Sequence, residues 1–304
     1  MPRRAPGRVL SISSPLRPLH FVPYQGQVAA TSTHNIVNGL VARHGTARRY
    51  GSRIDAQLVE LAPPPSATVM ADMHVLIASV PWRRASLNRL IRDVAAQAYL
   101  PVCVHLVLDG DGPPNAILDT SPLTSKGVKV DVREQHPGRG AGSRWNVVDD
   151  LKDTDVICNL DDDIGLGSNH YLAVHYEALR SAGAVAAGGY TPEGRFIMCA
   201  WIGIDYEGPI NCLQAGAFSA RVGCLRGLRS MPMAAEMLGV LGDDEGLIAA
   251  HLWRAGVPVR RVNTPVGWDP SGSDPRSQYR NMPGRITRLR NALRVATGWP
   301  WGNV

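Results

Sequence analysis

The segment DVICNLDDDIGLG (155–167) runs an apolar stretch directly into three consecutive carboxylates, Asp161, Asp162 and Asp163. Like charges side by side repel, and carboxylates are costly to bring near a core. A buried strand that ends this way either opens a solvated loop or presents the acids to something they bind. In open parallel sheets, ligands sit in the crevice beyond the carboxyl ends of the strands. The question is therefore whether the rest of the chain builds such a sheet.

The pattern on either side of the triplet does. HVLIASV (74–80) reads as a buried strand. RRASLNRLIRDVAAQAY follows as a helix, with Ser86 as its expected cap and Leu87, Leu90, Ile91 and Val94 on one face. VCVHLVLDG (102–110) is a second strand, ending in Asp109, and VKVDVRE (128–134) is a third. GRGAGSRWNVVDDL (138–151) reads as a Gly-rich loop entering a helix. After the triplet, SNHYLAVHYEALRSAG (168–183) is a helix capped by Ser168 or Asn169 and stopped by Gly183. This order predicts an α/β fold, a mostly parallel sheet covered on both faces. AVAAGGY, RFIMCAWIGIDYEG and INCLQAGAFSARV then read as strands joined by turns. DDEGLIAAHLWRAG (243–256) is helical, with acids in its first turn and Gly256 at its end, and VPVRRV is a closing strand.

Three regions are expected. Residues 1–70 form a Pro-, Ser- and Arg-rich extension with one helix in THNIVNGLVARHG, residues 71–265 the main α/β domain, and residues 266–304 a basic extension. In this last part GRITRLRNALRVA (284–296) is an amphipathic helix with Ile286, Leu289 and Leu293 on one side. Charge follows the same division. Residues 1–54 hold eight Arg and residues 276–304 six, and neither stretch has an acid, so an acidic body sits between two basic ends. Basic ends suit a polyanion partner, nucleic acid or an anionic membrane surface, though single-sign ends are often only solvated tails. At 44% hydrophobic the chain can bury a full core, and no apolar run is long enough for a membrane span. The five cysteines, at 103, 158, 199, 212 and 224, show no CxxC spacing. That points to reduced thiols and a cytoplasmic setting, and away from a disulfide framework or a zinc knuckle. The histidines show no metal-ligand spacing either.

Clustered Asp oxygens suit a hard cation, Mg2+ or Mn2+. Period-two alternation puts Asp161 and Asp163 on one side of the strand and Asp162 on the other. One of the pair could then reach a sugar hydroxyl and the other a metal.

Five stretches together resemble the family 2-like, GT-A fold glycosyltransferases. They are the strand–helix–strand from His74 to Gly110, GAGSRWNVV, ICNLDDDI as a DXD motif, AGAFSARVGCL, and GDDEGLIAAHLWRAGVPVRRV, and they occur in family order over about residues 73–263. The resemblance implies a GT-A (Rossmann-like) mixed sheet flanked by helices, a nucleotide-diphosphate sugar donor and Mn2+ or Mg2+. It implies that Asp109 contacts the base or ribose, that Arg144 contacts the base or phosphates, and that Asp161 contacts ribose. Asp161 and Asp163 would hold the metal. The catalytic base falls on Glu245 by counting back from Gly256, or on Asp244 with a one-residue slip. Two departures stand out: no His follows His251 to act as a further metal ligand, and His251 itself replaces the family's helix Arg.

The expected activity is metal-dependent transfer of a sugar to a hydroxyl acceptor, with inversion inferred from the base. The acceptor could be modified DNA of the phage type, a protein side chain or a cell-envelope glycan. A nucleotidyltransferase or phosphohydrolase would use the same acids but release nucleoside monophosphate or pyrophosphate. A non-catalytic nucleic-acid-binding protein would bind DNA without turning over a donor.

Overall fold

The computed structural model describes residues 67–136, 138–192, 196–197, 207–214, 216–239, 243–264, 266–268 and 283–300. The helix expected in THNIVNGLVARHG and nearly all of the N-terminal extension lie outside these residues.

Strand β1 (Thr68–Ser79) leads through a short 3-10 turn, Pro81–Arg83, into α1 (Arg84–Ala95). Then come β2 (Tyr99–Asp109), the one-turn helix α2 (Ser121–Thr124) and β3 (Lys129–Gln135). The Gly-rich segment enters a 3-10 helix, Ala141–Asp150, and is followed by β4 (Val156–Asp161), β5 (Ile164–Leu166) and α3 (Tyr171–Ala178). The short strands β6 (Ala184–Ala186), β7 (Gly189–Tyr190), β8 (Phe196–Ile197) and β9 (Cys212–Leu213) precede β10 (Ala217–Arg221). Helices α4 (Ala234–Met237) and α5 (Asp244–Arg254), strands β11 (Val259–Arg261) and β12 (Val266–Trp268), and helix α6 (Pro283–Thr297) follow among the described residues.

Seven strands form the main sheet in the order β11-β6-β10-β4-β1-β2-β3. β1 pairs parallel with β2 and β4, and β2 pairs parallel with β3. β10 is antiparallel to both its neighbours, β4 and β6, so the sheet is mixed. Apolar clusters cover both faces. Leu87, Leu90, Ile91 and Val94 of α1 are fully buried in one, on the helical face that their spacing predicts. Leu247, Ile248 and Leu252 of α5 are buried in the other, with Leu293 and Trp299 from the C-terminal segment.

Several ends differ from expectation, each for a local reason. Helix α1 starts at Arg84 with Arg83 at its cap position, which leaves Ser86 buried inside the first turn. Helix α3 starts only at Tyr171; the Ser168 hydroxyl accepts from the His170 backbone N–H, a turn that delays the helix. The expected helix after the Gly-rich loop is 3-10 rather than α. Asp243 caps α5 by accepting from the Gly246 N–H at 3.3 Å, and Gly256 ends the segment at φ +65°.

Candidate functional site

The chain runs outward from β1 to β2 and β3, then returns to place β4 on the opposite side of β1. Such a reversal opens a crevice beyond the carboxyl ends of the two central strands. Asp161, the last residue of β4, pairs in register with Ala78 near the end of β1 and so stands at that crevice.

The strand stops at Asp161, and residues 162–163 form a turn. The period-two alternation expected through Asp163 therefore breaks, and Asp162 does not point away from Asp163. Arg83 Nη1 donates to Asp162 Oδ1 at 3.0 Å and to Asp163 Oδ2 at 3.2 Å. Asp162 is buried and also accepts from the Ser79 hydroxyl at 2.7 Å. The Asp163 Oδ1 oxygen is buried with no hydrogen-bond partner. Burial, then the adjacent Asp162 and Asp161, push the Asp163 carboxyl up to about 8.

Asp161 faces Arg144, whose Nη1 donates to its Oδ1 at 2.9 Å. Gly216 lies against the same carboxylate, where a Cβ would fall 2.6 Å from Oδ2. Arg144 is buried on the 3-10 helix and also donates through Nη2 to Asp244 Oδ2 at 2.9 Å. The Trp145 indole N–H reaches that same oxygen at 2.9 Å. Burial opposes ionisation of Asp244, but Arg144 and Trp145 outweigh it and hold the carboxyl below its ordinary value. The opposing carboxylates likewise keep Arg144 charged despite complete burial.

Glu245 takes a different partner, Arg290 of α6, with Nη2 to Oε2 at 2.8 Å. The same guanidinium pairs with Asp243, so one arginine serves two acids of the DDE run. Asp109 is nearly buried, and its two oxygens accept the backbone N–H groups of Arg139 and Gly140, at 2.6 and 2.9 Å. It thus holds the Gly-rich loop, with Gly140 at φ +89°, where a side chain would be strained.

Asp109, Arg144, Asp161, Asp163 and Asp244 therefore gather around the carboxyl ends of β1, β2 and β4, with Glu245 next to Asp244 on α5. The sequence reading missed Arg83, Ser79, Trp145 and Arg290. The RR pair immediately after the first strand was the available signal for Arg83. Arg84, the second of that pair, is buried with Nη1 unpartnered, as is Gln135 Oε1 at the end of β3. His251 is a packed residue, with Nε2 3.1 Å from the Cys224 carbonyl oxygen.

Four carboxylates, Asp161, Asp162, Asp163 and Asp244, face two guanidiniums, Arg83 and Arg144. The crevice therefore gathers more carboxyl groups than guanidiniums and leaves one carboxyl oxygen without a hydrogen-bond partner. Clustered carboxyl oxygens fit a hard divalent cation, which displaces the proton on Asp163, takes few protein ligands and completes its shell with phosphate oxygens and water. Among the described residues, no helix is long and apolar enough to cross a membrane.

No family model matches the chain, and no curated protein matches it. Solved structures are similar at low identity. GalNAc-T7, solved with UDP, GalNAc and Mn2+, is 13% identical over 65% of this chain and 43% of its own, with a TM-score of 0.45. TarS 1-349 of S. aureus is 12% identical over 64% of this chain and 58% of its own, with a TM-score of 0.44. The mannosyltransferase PcManGT of Pyrobaculum calidifontis, solved with GDP-Man and Mn2+, is 13% identical over 76% of this chain and 68% of its own, with a TM-score of 0.42. The chain spans less than two thirds of the length of the first two.

Proposed function

We propose that the chain is a metal-dependent GT-A glycosyltransferase, which moves a sugar from a nucleotide-diphosphate donor to a hydroxyl acceptor with inversion. The observation that carries the reading is the buried, unpartnered Asp163 oxygen in a crevice crowded with carboxyl groups, at the point where the strand order reverses. Sequence stretches far apart in the chain, each resembling a family motif, contribute residues to this one crevice.

In this reading Asp161 and Asp163 would hold Mn2+ or Mg2+, which would supply positive charge for the departing nucleoside diphosphate. Arg83 fixes Asp163, and Arg144 fixes Asp161. Asp109 acts through the Gly-rich loop that it holds, the side on which base and ribose would lie. Asp244 has its Oδ2 taken by Arg144 and Trp145, which makes it a buttress for Arg144 and a poor proton acceptor. That leaves Glu245 as the base, oriented by Arg290. It removes the acceptor proton as the acceptor oxygen bonds the anomeric carbon, and the bond to the diphosphate breaks with its electrons.

The basic ends favour a polyanionic acceptor bearing a hydroxyl, modified DNA being one, and most of that charge lies outside the described residues. Within α6, Arg290 is committed to an internal ion pair, while Arg288 and Arg294 remain exposed.

The test is a panel of nucleotide sugars offered to the purified protein with Mn2+, Mg2+ or chelator, beside Asp163→Ala. Metal-dependent release of nucleoside diphosphate, and a donor-induced thermal shift lost in Asp163→Ala, are expected. No shift with any donor sinks the transferase reading. Release of pyrophosphate or nucleoside monophosphate would replace it with a nucleotidyltransferase or phosphohydrolase.

A further inference from the structure

About five residues back along β1 from the crevice, roughly 16 Å at strand rise, a second group of side chains meets near the amino ends of β3 and β4. His74 lies on β1, and Cys103 and His105 lie on β2. Register pairs His74 with Cys103 and Leu76 with His105, so the three side chains share one face of two adjacent strands. His74 Nδ1 is 3.0 Å from His105 Nε2, and the rings stack with centroids 5.2 Å apart. One ring nitrogen from each histidine and the Cys103 sulfur all lie within 4.8 Å of one another. Among the described residues, no other three His, Cys, Asp or Glu side chains bring ligand atoms together in this way.

The outward nitrogens explain what the inward ones present. His105 Nδ1 is 3.0 Å from Asp131 Oδ2, and His74 Nε2 is 3.7 Å from Asp155 Oδ2. A ring nitrogen hydrogen-bonded to a carboxylate carries the proton, which leaves His105 Nε2 bare. His74 Nε2 lies beyond hydrogen-bond reach of Asp155, so in the metal-free site His74 Nδ1–H can donate to His105 Nε2, and a bound cation takes the place of that proton. Tetrahedral zinc, with Zn–N bonds near 2.0–2.1 Å, sets its nitrogens about 3.3 Å apart, close to the separation found. The His74 side chain is 12% exposed, which gives an ion a route in.

We propose that His74 Nδ1, His105 Nε2 and Cys103 Sγ form a binding site for a zinc-class divalent ion, with Asp131 and Asp155 as the carboxylates that orient the two rings. The Cys103 thiol loses its proton to solvent as the metal–sulfur bond forms. Imidazole and thiolate select zinc-class ions, whereas the oxygen donors of the crevice suit Mg2+ and Mn2+. The two sites therefore take different ions.

The test uses the full chain, stripped with chelator and titrated with Co2+. One equivalent should bind with a sulfur-to-cobalt charge-transfer band, and Zn2+ should abolish the band by displacement. Cys103→Ser should lose the band, and His105→Gln should bind at least about tenfold more weakly. Asp131→Asn should weaken binding about 10–100-fold, the usual effect of losing an orienting carboxylate. Asp163→Asn and Cys158→Ser should keep the band, since neither residue belongs to the site. Circular dichroism of the metal-free variants checks folding, and His74→Gln, at the partly exposed ring, gives the same reading if Cys103→Ser unfolds. No band in the wild-type chain, or a band that survives both Cys103→Ser and His74→Gln, overturns the site. Neither result bears on sugar transfer, because the donor assay reads the other metal.

Discussion

Arg290 Nη2 lies 2.8 Å from Glu245 Oε2, so the last helix of the chain supplies the counter-ion for a carboxylate beside the crevice. The same arginine pairs with the buried N-cap Asp243. Removing it strands a buried charge, which typically costs about 3–5 kcal/mol. Arg290→Met should therefore lose about that much in urea unfolding, and the double variant with Asp243→Asn should recover part of it. A change within about 0.5 kcal/mol of wild type would show that water solvates the pair.

Arg144 has the matching role inside the crevice, where it pairs with Asp161 and Asp244 together. Lysine keeps the charge but lacks the planar fork that reaches two carboxylates at once. Arg144→Lys should fold, with stability reduced by about 1–3 kcal/mol, and should lose most donor-induced thermal shift. Arg144→Met should be destabilised further. Equal donor binding in Arg144→Lys and wild type would remove Arg144 from the site.

Asp163 should behave in the opposite way from a stabilising acid. Its carboxyl is held up at about 8, first by burial and then by Asp162 and Asp161, so the folded state keeps a proton that the unfolded state releases. Stability from this group is complete below about pH 4, the unfolded carboxyl value, and declines as pH rises to about 8. Asp163→Asn should remove that decline in the metal-free protein, raising its melting temperature at pH 8. In the same variant the stabilisation by Mn2+ should disappear. A melting temperature that drops in metal-free buffer would contradict the account.

Gly216 tests the geometry without touching a charge. Its Cβ would lie 2.6 Å from Asp161 Oδ2, so Gly216→Ala must displace that carboxylate from Arg144. Retained secondary structure with donor binding weakened at least about tenfold, about 1.4 kcal/mol, is expected from calorimetric titration.

His175 offers a control that belongs to neither proposed site. It is fully buried between the Ser219 and Thr264 hydroxyls, and burial lowers it to about 3. Between that value and about 6.5 the unfolded chain binds a proton that the folded chain does not, so stability falls as pH drops through the window. From pH 6.5 to pH 5 the loss is about 2 kcal/mol. His175→Gln should flatten this slope in urea melts at the two pH values, whatever it does to stability at pH 7.

The strands and the α1 face could be read from periodicity because they depend on neighbours in sequence. The same holds for Asp161, which ends an apolar run, and for Asp243, which caps a helix. Arg83 and Arg290 could not be paired in advance. Their partners lie 79 and 47 positions away, and only the sheet order and the docking of α6 bring them together. The turn at Asp162 defeated the alternation rule because the rule holds only while the strand lasts. The histidine cluster was invisible for a related reason. Cys103 and His105 are two apart on one strand, but His74 comes from its neighbour, 31 positions from His105, and no linear spacing records that.

The position of Arg290 in the chain also bears on how the protein is made. Synthesis delivers the amino-terminal part first, and structure accrues as the chain emerges. The sheet strands, the Asp triplet and the acidic helix all leave the ribosome before the residue that neutralises Asp243 and Glu245 exists. A nascent chain released short of α6 therefore holds the crevice acids but lacks the cation that settles the acidic helix, which delays maturation of the crevice until α6 has been made.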